Sequence, residues 1–296
     1  MRLPEKIDLH MHTIASDGTD SPAQLLEKIK AQGIGAFAVT DHDAVKTCVE
    51  LQDLLREGDP LFINGVELSC RDEFGKYHIL GLGYDLNKKP LPDLVRHTHE
   101  MRMEKVRTRL AFLQAEYGFE FPQEEQDRLL ALPNPGKPHI GNLMAAHGYA
   151  ESKEQAITEY INKAKIKGPG YIRPEEAITA ILGSGGVPVL AHPAYGDGSQ
   201  VIVGEELEER VRRLVGFGLQ GMECYYSGFT PRLQEMCLAL ADRLDLLVSA
   251  GSDYHGGNKM IQLGENNLEK VSQAVPALRR LLEICLEKRT EAGTAG

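Results

Sequence analysis

No apolar run in this chain approaches the ~18 residues of a membrane span. Its first ten residues, MRLPEKIDLH, lack the apolar stretch of a secretion signal. Cysteine is scarce: five, an odd number with no CxxC pair, which points to buried thiols in a reducing cytoplasm rather than to disulfides. Basic charge is also short. Thirty-three Lys and Arg against 43 Asp and Glu leave a formal charge of −10. A surface that grips long nucleic acid is thereby disfavoured, because such binding rests on neutralising phosphates. A small pocket for one phosphate is not. Repeats and low-complexity tracts are missing, and Gly168-Pro169-Gly170 has no GK[ST] beside it, so it reads as a turn and not as a phosphate loop. What remains is a chain of 296 residues, 42% hydrophobic, able to bury a full core as one large domain or a large one with a small one.

Seven short runs, apolar and rich in β-branched residues between turn signals, read as strands buried on both faces: KIDLHMH, AFAVTDH, LFINGVELSC, YHILGLGYD, VPVLAHP, GMECYY and LDLLVSAGSDYH. Helical patterns separate most of them. SPAQLLEKIKAQG opens on a Ser-Pro start and closes at Gly33, and GEELEERVRRLVGFG and TPRLQEMCLALADRL behave similarly. This alternation predicts an α/β fold with a parallel sheet or barrel. Only VELSC to YHILG reads as a tight hairpin, through DEFGK. From Leu91 to Ile172 the pattern is almost wholly helical and broken by Pro133, Pro135 and Pro138. We therefore expect a barrel from residues 1–90 and 173–290, with residues 91–172 as a small helical insertion domain.

The strand ends carry an unusual set of side chains. His10 and His12 end the first strand, His42 the second, His192 the fifth and His255 the last, while His78 lies within the fourth. Asp17 follows the first strand, Glu67 lies in the third and Asp253 stands beside His255. In barrels and α/β sheets the strand ends converge on the site. Residues two apart on a strand face one side, so His10 and His12 can share an ion, as can Asp253 and His255. A single HxH is more often a pair of packed histidines; nine such residues at strand ends point to metal. One divalent ion takes about four to six ligands, so nine suit two or three ions. Against three carboxylates, three ions leave roughly +3 in the pocket, which favours a phosphate dianion and a water of near-neutral pKa. Mixed imidazole and carboxylate ligands suit Mn, Fe or Zn better than Mg or Ca, with Mn placed first.

In order and spacing, DLHMHTIASDG, AVTDHD, GVELSC with YHILGLG, LAHP and GSDYHG resemble the metal motifs of the PHP (polymerase and histidinol phosphatase) family, from about residue 6 to 258. The resemblance implies a distorted (β/α)7 barrel with a trinuclear site. Carried over, it gives one ion to His10, His12, Glu67 and Asp253. Glu67 bridges to a second with His78 and His192, and Asp17, His42 and His255 hold a third. KPHIGNLMAAHGY followed by GPGYIRPEEAI is similar to the small phosphoesterases of that family that act on nucleotides (the TrpH-like group). Members remove the 3′-phosphate of nucleoside 3′,5′-bisphosphates, and some trim short RNA from its 5′ end. Lys137 stands where arginine is common in that group, which keeps the charge but not the planar fork.

The resulting expectation is a cytoplasmic, metal-dependent phosphoesterase for small phosphorylated nucleotides or very short oligonucleotides, with no membrane partner. Glu67, His192 and Asp253 are its candidate catalytic residues. The leaving alcohol's proton could come from a water on the ions or from His192. Lys137 and His139, at a helix start that favours an anion, are candidate contacts for the substrate's other phosphate. Arg173 and Arg232 are further candidates, each also readable as a solvated charge at a helix start. Tyr225 and Tyr226 could stack on a base, though strand tyrosines usually pack. Glu223 reads as a strand-end hydrogen-bond partner, and Asp41 and Asp43 as orienting His42 or serving a turn. His97, His99 and His147 receive no function. The rivals are a histidinol-phosphate phosphatase, an amidohydrolase acting on a C–N bond, and a regulatory module that keeps only the barrel.

Overall fold

The computed structural model describes residues 3–166, 170–196 and 201–293. Seven strands follow one another around a single sheet in chain order: β1 (Ile7–Asp8), β2 (Ala36–Val39), β3 (Leu61–Asp72), β4 (Gly75–Leu82), β5 (Val187–Leu190), β6 (Gly221–Tyr226) and β7 (Leu247–Gly251). Beyond β1 the backbone stays extended and seals the sheet against β7. Leu9 N donates to Ala250 O at 2.9 Å, Asp253 N to His10 O at 2.8 Å and His12 N to Tyr254 O at 2.8 Å. The result is a nearly closed, distorted seven-stranded barrel. Neighbours run parallel except at β4, which is antiparallel to both β3 and β5. Its register pairs Asp72 with Gly75, so only Glu73 and Phe74 form the turn. A connection that short can only reverse the chain.

The parallel connections are helical. α1 (Pro22–Ala31) joins β1 to β2, and α2 (Lys46–Leu54) joins β2 to β3. α1 starts where the sequence predicts: Ser21 Oγ accepts from Gln24 N and Gln24 Oε1 accepts from Ser21 N, closing a capping box with Pro22 in the first turn. Leu25, Leu26 and Ile29 face the barrel. After β4 come α3 (Pro90–Tyr117), α4 (Gln123–Leu130), α5 (Lys137–Ala146) and α6 (Lys153–Gln155). α7 (Pro174–Gly183), α8 (Gly204–Gly216), α9 (Pro231–Arg243) and α10 (Pro276–Gly293) alternate with the remaining strands. Every residue of β2, β5 and β6 is buried, because helices cover the outside and side chains fill the inside. That is why these strands read as unbroken apolar runs.

Contacts divide the chain into two units, Met1–Val95 with Ile172–Gly296, and Arg96–Tyr171. The second has its own core of Val106, Leu110, Leu113, Phe121, Leu129, Ile140, Met144, Ala156 and Ile161. Aromatic rings extend it, with Phe119 stacked on Tyr149 at 4.4 Å between centroids. Among the described residues no helix is long and apolar enough to cross a membrane. Gly168 and Pro169 of the expected turn lie outside the described residues.

Candidate metal centre

The site is built on the extended chain after β1. Asp8, fully buried beneath it, accepts from Ser252 N (2.9 Å), Ser252 Oγ (2.6 Å), Gly264 N (2.8 Å) and His10 N (3.3 Å). It thus ties the first strand to the segment following the last. Burial pushes its carboxyl up to about 6 despite these four donors. His10 and His12 then project to the same side, as residues two apart must. Gly251 makes room for them: a β-carbon there would stand 2.2 Å from His10 Cβ and 2.5 Å from a Glu223 oxygen.

Glu67, reached along β3, is the hub. Its Oε2 has His12 Nε2 at 3.2 Å, His42 Nδ1 at 3.2 Å and His10 Nε2 at 3.3 Å. Its Oε1 has His78 Nδ1 at 3.0 Å and His192 Nε2 at 3.2 Å. Asp253 Oδ1 faces the same two nitrogens from the other side, His12 Nε2 at 3.3 Å and His10 Nε2 at 3.5 Å, with His255 Nδ1 at 3.4 Å. Asp17, at the half-exposed mouth, reaches His255 Nε2 at 3.2 Å, His12 Nδ1 at 3.6 Å and His42 Nε2 at 3.8 Å. All nine residues singled out in the sequence therefore meet in one cluster.

For three of these nitrogens proximity is not hydrogen bonding. His10 Nε2, His12 Nε2 and His42 Nδ1 are buried and make no hydrogen bond, although each stands about 3 Å from a carboxylate oxygen. Three imidazoles cannot all donate well to one oxygen with two lone pairs. An unpaired buried polar atom costs about 1–3 kcal/mol, so three together need a common partner. A divalent cation is such a partner. Three sets of potential ligands each gather within 4.8 Å: His10, His12 and Glu67; His42, Glu67 and His78; and His12, Asp17, His42 and His255. They overlap at Glu67, His12 and His42.

Surrounding hydrogen bonds set the imidazole tautomers to suit this use. Glu223, with no exposed surface, takes His10 Nδ1–H on Oε1 at 3.0 Å and His192 N on Oε2 at 2.8 Å. That leaves the lone pair of His10 Nε2 for the cluster. The carbonyl of Asp253 does the same for His255 Nδ1 at 2.8 Å, freeing Nε2. The strand-end partner role expected of Glu223 thus has definite recipients. Asp41 does not orient His42. It accepts from Thr13 N, Thr13 Oγ1 and Ser16 Oγ at 2.7 Å each and from Thr47 Oγ1 at 2.5 Å, holding the loop after β1 instead. Asp43 accepts from Ser69 N at 2.9 Å.

Charge and strain concentrate here. Burial alone would raise Glu67, but His42, His10 and His78 override it and hold the carboxyl well below its usual range. Burial likewise works against Asp253, and His10, His12 and Lys259 hold it low. Burial draws His12 down, yet Asp253 and Glu67 keep it at about 9. His42, desolvated and beside His12 and His78, falls to about 3. Asp43, His192 and Asp253 all adopt left-handed backbone, with φ of 50°, 28° and 58°. Such strain costs about 1–3 kcal/mol per residue and gathers where function dictates geometry.

The other candidates are placed differently. Lys137 and His139 share the first turn of α5 in the helical unit. Lys137 Nζ donates to Asn162 Oδ1 at 2.6 Å, and His139 Nδ1 accepts from Gly136 N at 3.2 Å. Arg173 caps α7 and pairs with Glu73 at 3.3 Å, while Arg232 is exposed in the first turn of α9. Neither arginine contacts the cluster. Tyr225 and Tyr226 are 6% and 9% exposed, too buried to stack on a base. Tyr226 instead donates to Asp253 Oδ2 at 3.0 Å, and Tyr225 OH accepts from Val275 N. All five cysteines are buried and none of them forms a disulfide. Sequence reasoning missed Lys259, whose Nζ lies 2.7 Å from Asp253 Oδ2; its only signal was a basic residue soon after GSDYHG.

Comparison with known proteins agrees with this arrangement. A family model described as the PHP domain matches residues 8–172. A 5′-3′ exoribonuclease from Haemophilus influenzae is 28% identical over 279 residues, covering 93% of this chain and 98% of that protein. A 3′,5′-nucleoside bisphosphate phosphatase from Chromobacterium violaceum is 29% identical over 256 residues, 84% of this chain and 87% of the other. Among solved structures, a chain from Bifidobacterium adolescentis described as a metal-dependent phosphoesterase superposes with a TM-score of 0.73 at 27% identity, over 94% of this chain and 96% of that one. Matched over more than half its length and carrying the nine-residue cluster at its strand ends, this chain belongs to the PHP-domain family.

Proposed function

We propose that this chain is a metal-dependent phosphoesterase that removes the 3′-phosphate of nucleoside 3′,5′-bisphosphates, with short 5′-phosphorylated oligonucleotides as a second substrate class. The observation that carries it is the sharing of Glu67 by five imidazoles, three of whose nitrogens are buried without a hydrogen-bond donor or acceptor. Overlapping ligand sets suit two or three divalent ions better than one, and the mixed donors suit manganese, iron or zinc, of which we place manganese first. Such ions, when bound, supply Lewis acidity that offsets charge on a phosphoryl group and lowers the pKa of a water.

The chain's own residues do the rest. Glu67 serves both sides of the centre, Oε2 towards His10, His12 and His42, and Oε1 towards His78 and His192. Glu223 and the Asp253 carbonyl fix two imidazoles so that nitrogen lone pairs, not N–H groups, face inwards. His192 Nε2 lies 3.2 Å from Glu67 Oε1 and 3.3 Å from His78 Nδ1, so it completes that side rather than protonating the departing alcohol. Lys137 and His139, at a helix start that favours anions, are assigned to the second phosphate, with Arg173 and Arg232 as additional contacts. The net charge of −10 suits a small substrate over long RNA, and the names of the two curated relatives point to the same substrate classes. Five buried cysteines without a disulfide support a cytoplasmic setting.

Hydrolysis by manganese-loaded protein, followed as phosphate release and, for the dinucleotide, as mononucleotide formation, tests this. The panel is adenosine 3′,5′-bisphosphate, AMP, histidinol phosphate and a 5′-phosphorylated dinucleotide, each with and without chelator. Chelator-sensitive release from the bisphosphate, with cleavage of the dinucleotide alongside, is expected. Release from histidinol phosphate alone would keep the centre and overturn the substrate.

A further inference from the structure

Asp253 divides its two oxygens. Oδ1 lies against His10, His12 and His255, while Oδ2 takes two donors, Tyr226 OH at 3.0 Å and Lys259 Nζ at 2.7 Å. These donors are unequal. Tyr226 is buried against His192, Tyr195 and Phe229, so its hydroxyl cannot leave without losing packing. The Lys259 side chain is 39% exposed and lies on the loop that follows β7. The backbone just before it is anchored, Gly257 N to Thr19 Oγ1 at 2.8 Å and Asn258 Nδ2 to Asp17 O at 2.7 Å. A four-carbon stem therefore starts from an anchored base on the loop that carries Asp253, tied to the loop that carries Asp17.

We propose that Lys259 is a substrate-contacting residue of this centre: its ammonium leaves Asp253 Oδ2, which Tyr226 keeps satisfied, and binds a non-bridging oxygen of the phosphoryl group undergoing hydrolysis. Lys259 is the open half of this pair, 39% exposed against 6% for the Asp253 side chain, and Tyr226 still donates to Oδ2 when the ammonium leaves. A charge-assisted bond to a phosphate dianion replaces the contact given up. The proposal rests on the phosphoesterase reading, and it gives the chain a cation beside the reacting group that is separate from those assigned to the second phosphate.

The test uses full-length protein, wild type, K259Q and K259R, with three readouts. Metal content after manganese loading and desalting reports whether Asp253 still serves the cluster. Calorimetric titration of the loaded proteins with inorganic phosphate reports the contact itself, and steady-state kinetics on adenosine 3′,5′-bisphosphate reports its use. Expected for K259Q are unchanged metal content and thermal midpoint, a phosphate dissociation constant raised about 10- to 100-fold, and partial recovery in K259R. Lowered metal content with unchanged phosphate affinity per loaded site would make Lys259 only a clasp for Asp253 and overturn the proposal. Equal phosphate affinity in all three proteins would overturn it too. Failure of wild type itself to release phosphate from the bisphosphate would instead count against the function proposed for the chain.

Discussion

At the scale of single residues, the centre depends on which atom of each side chain is already spoken for. Glu223 touches no ion in this reading, yet it decides that His10 presents Nε2 and where the backbone of His192 lies. Replacing it by glutamine keeps the volume and removes the charge. We expect Glu223→Gln to lower manganese affinity or turnover about 10- to 100-fold while the fold persists, measured by calorimetric titration beside circular dichroism. A variant that binds the ion as tightly as wild type would remove Glu223 from the machinery. The same scale decides between the two roles open to Asp41 in the sequence. Neighbours in an extended segment point to opposite faces, so the residue beside His42 serves the loop at Thr13 and Ser16 and not the imidazole. His10 and His12 were legible for the mirror reason, since two steps along a strand return to the same face. Lys259 and Tyr226 were not: they meet at one oxygen of Asp253 from a loop and from another strand, and no periodicity marks such a meeting.

At the scale of elements, the barrel was legible where local chemistry decides. The Ser21 start of α1, the tight hairpin of β3 and β4 and the apolar strands were all visible, because caps, turns and two-sided burial each leave a composition; the strands run further into DEFGK than its composition suggests. The sealing of β1 against β7 was not. Regular β1 pairing spans only Ile7–Asp8, and the closure runs through backbone hydrogen bonds of the histidine segment, which any side chain permits. The helical unit carries its own apolar core, and Leu113 sits in it with no exposed surface. Leu113→Ala should cost about 2–5 kcal/mol, read as a lower urea midpoint in equilibrium unfolding. A loss below 1 kcal/mol would mean that this core is not the packed one described.

At the scale of the whole molecule, the cluster is both a site and a debt in stability, since three buried nitrogens lack partners until something binds among them. A ligand that binds only the folded state stabilises it by mass action, about 2.7 kcal/mol at a hundred times its dissociation constant. Manganese should therefore raise the thermal midpoint and a chelator should reverse the rise. A midpoint indifferent to both would refute the metal-filled reading independently of any substrate. The centre also draws together the two ends of the barrel: Asp8 and Ser252, bonded beneath it, are 244 positions apart. His10 and His12 thus leave a ribosome long before Asp253 and His255 have been translated. At roughly 5–20 residues per second that interval is on the order of ten to fifty seconds. Throughout it the nascent chain has imidazoles but no pocket, so hydrolytic competence waits for Asp253 and His255, and a product terminated before them is expected to be inert.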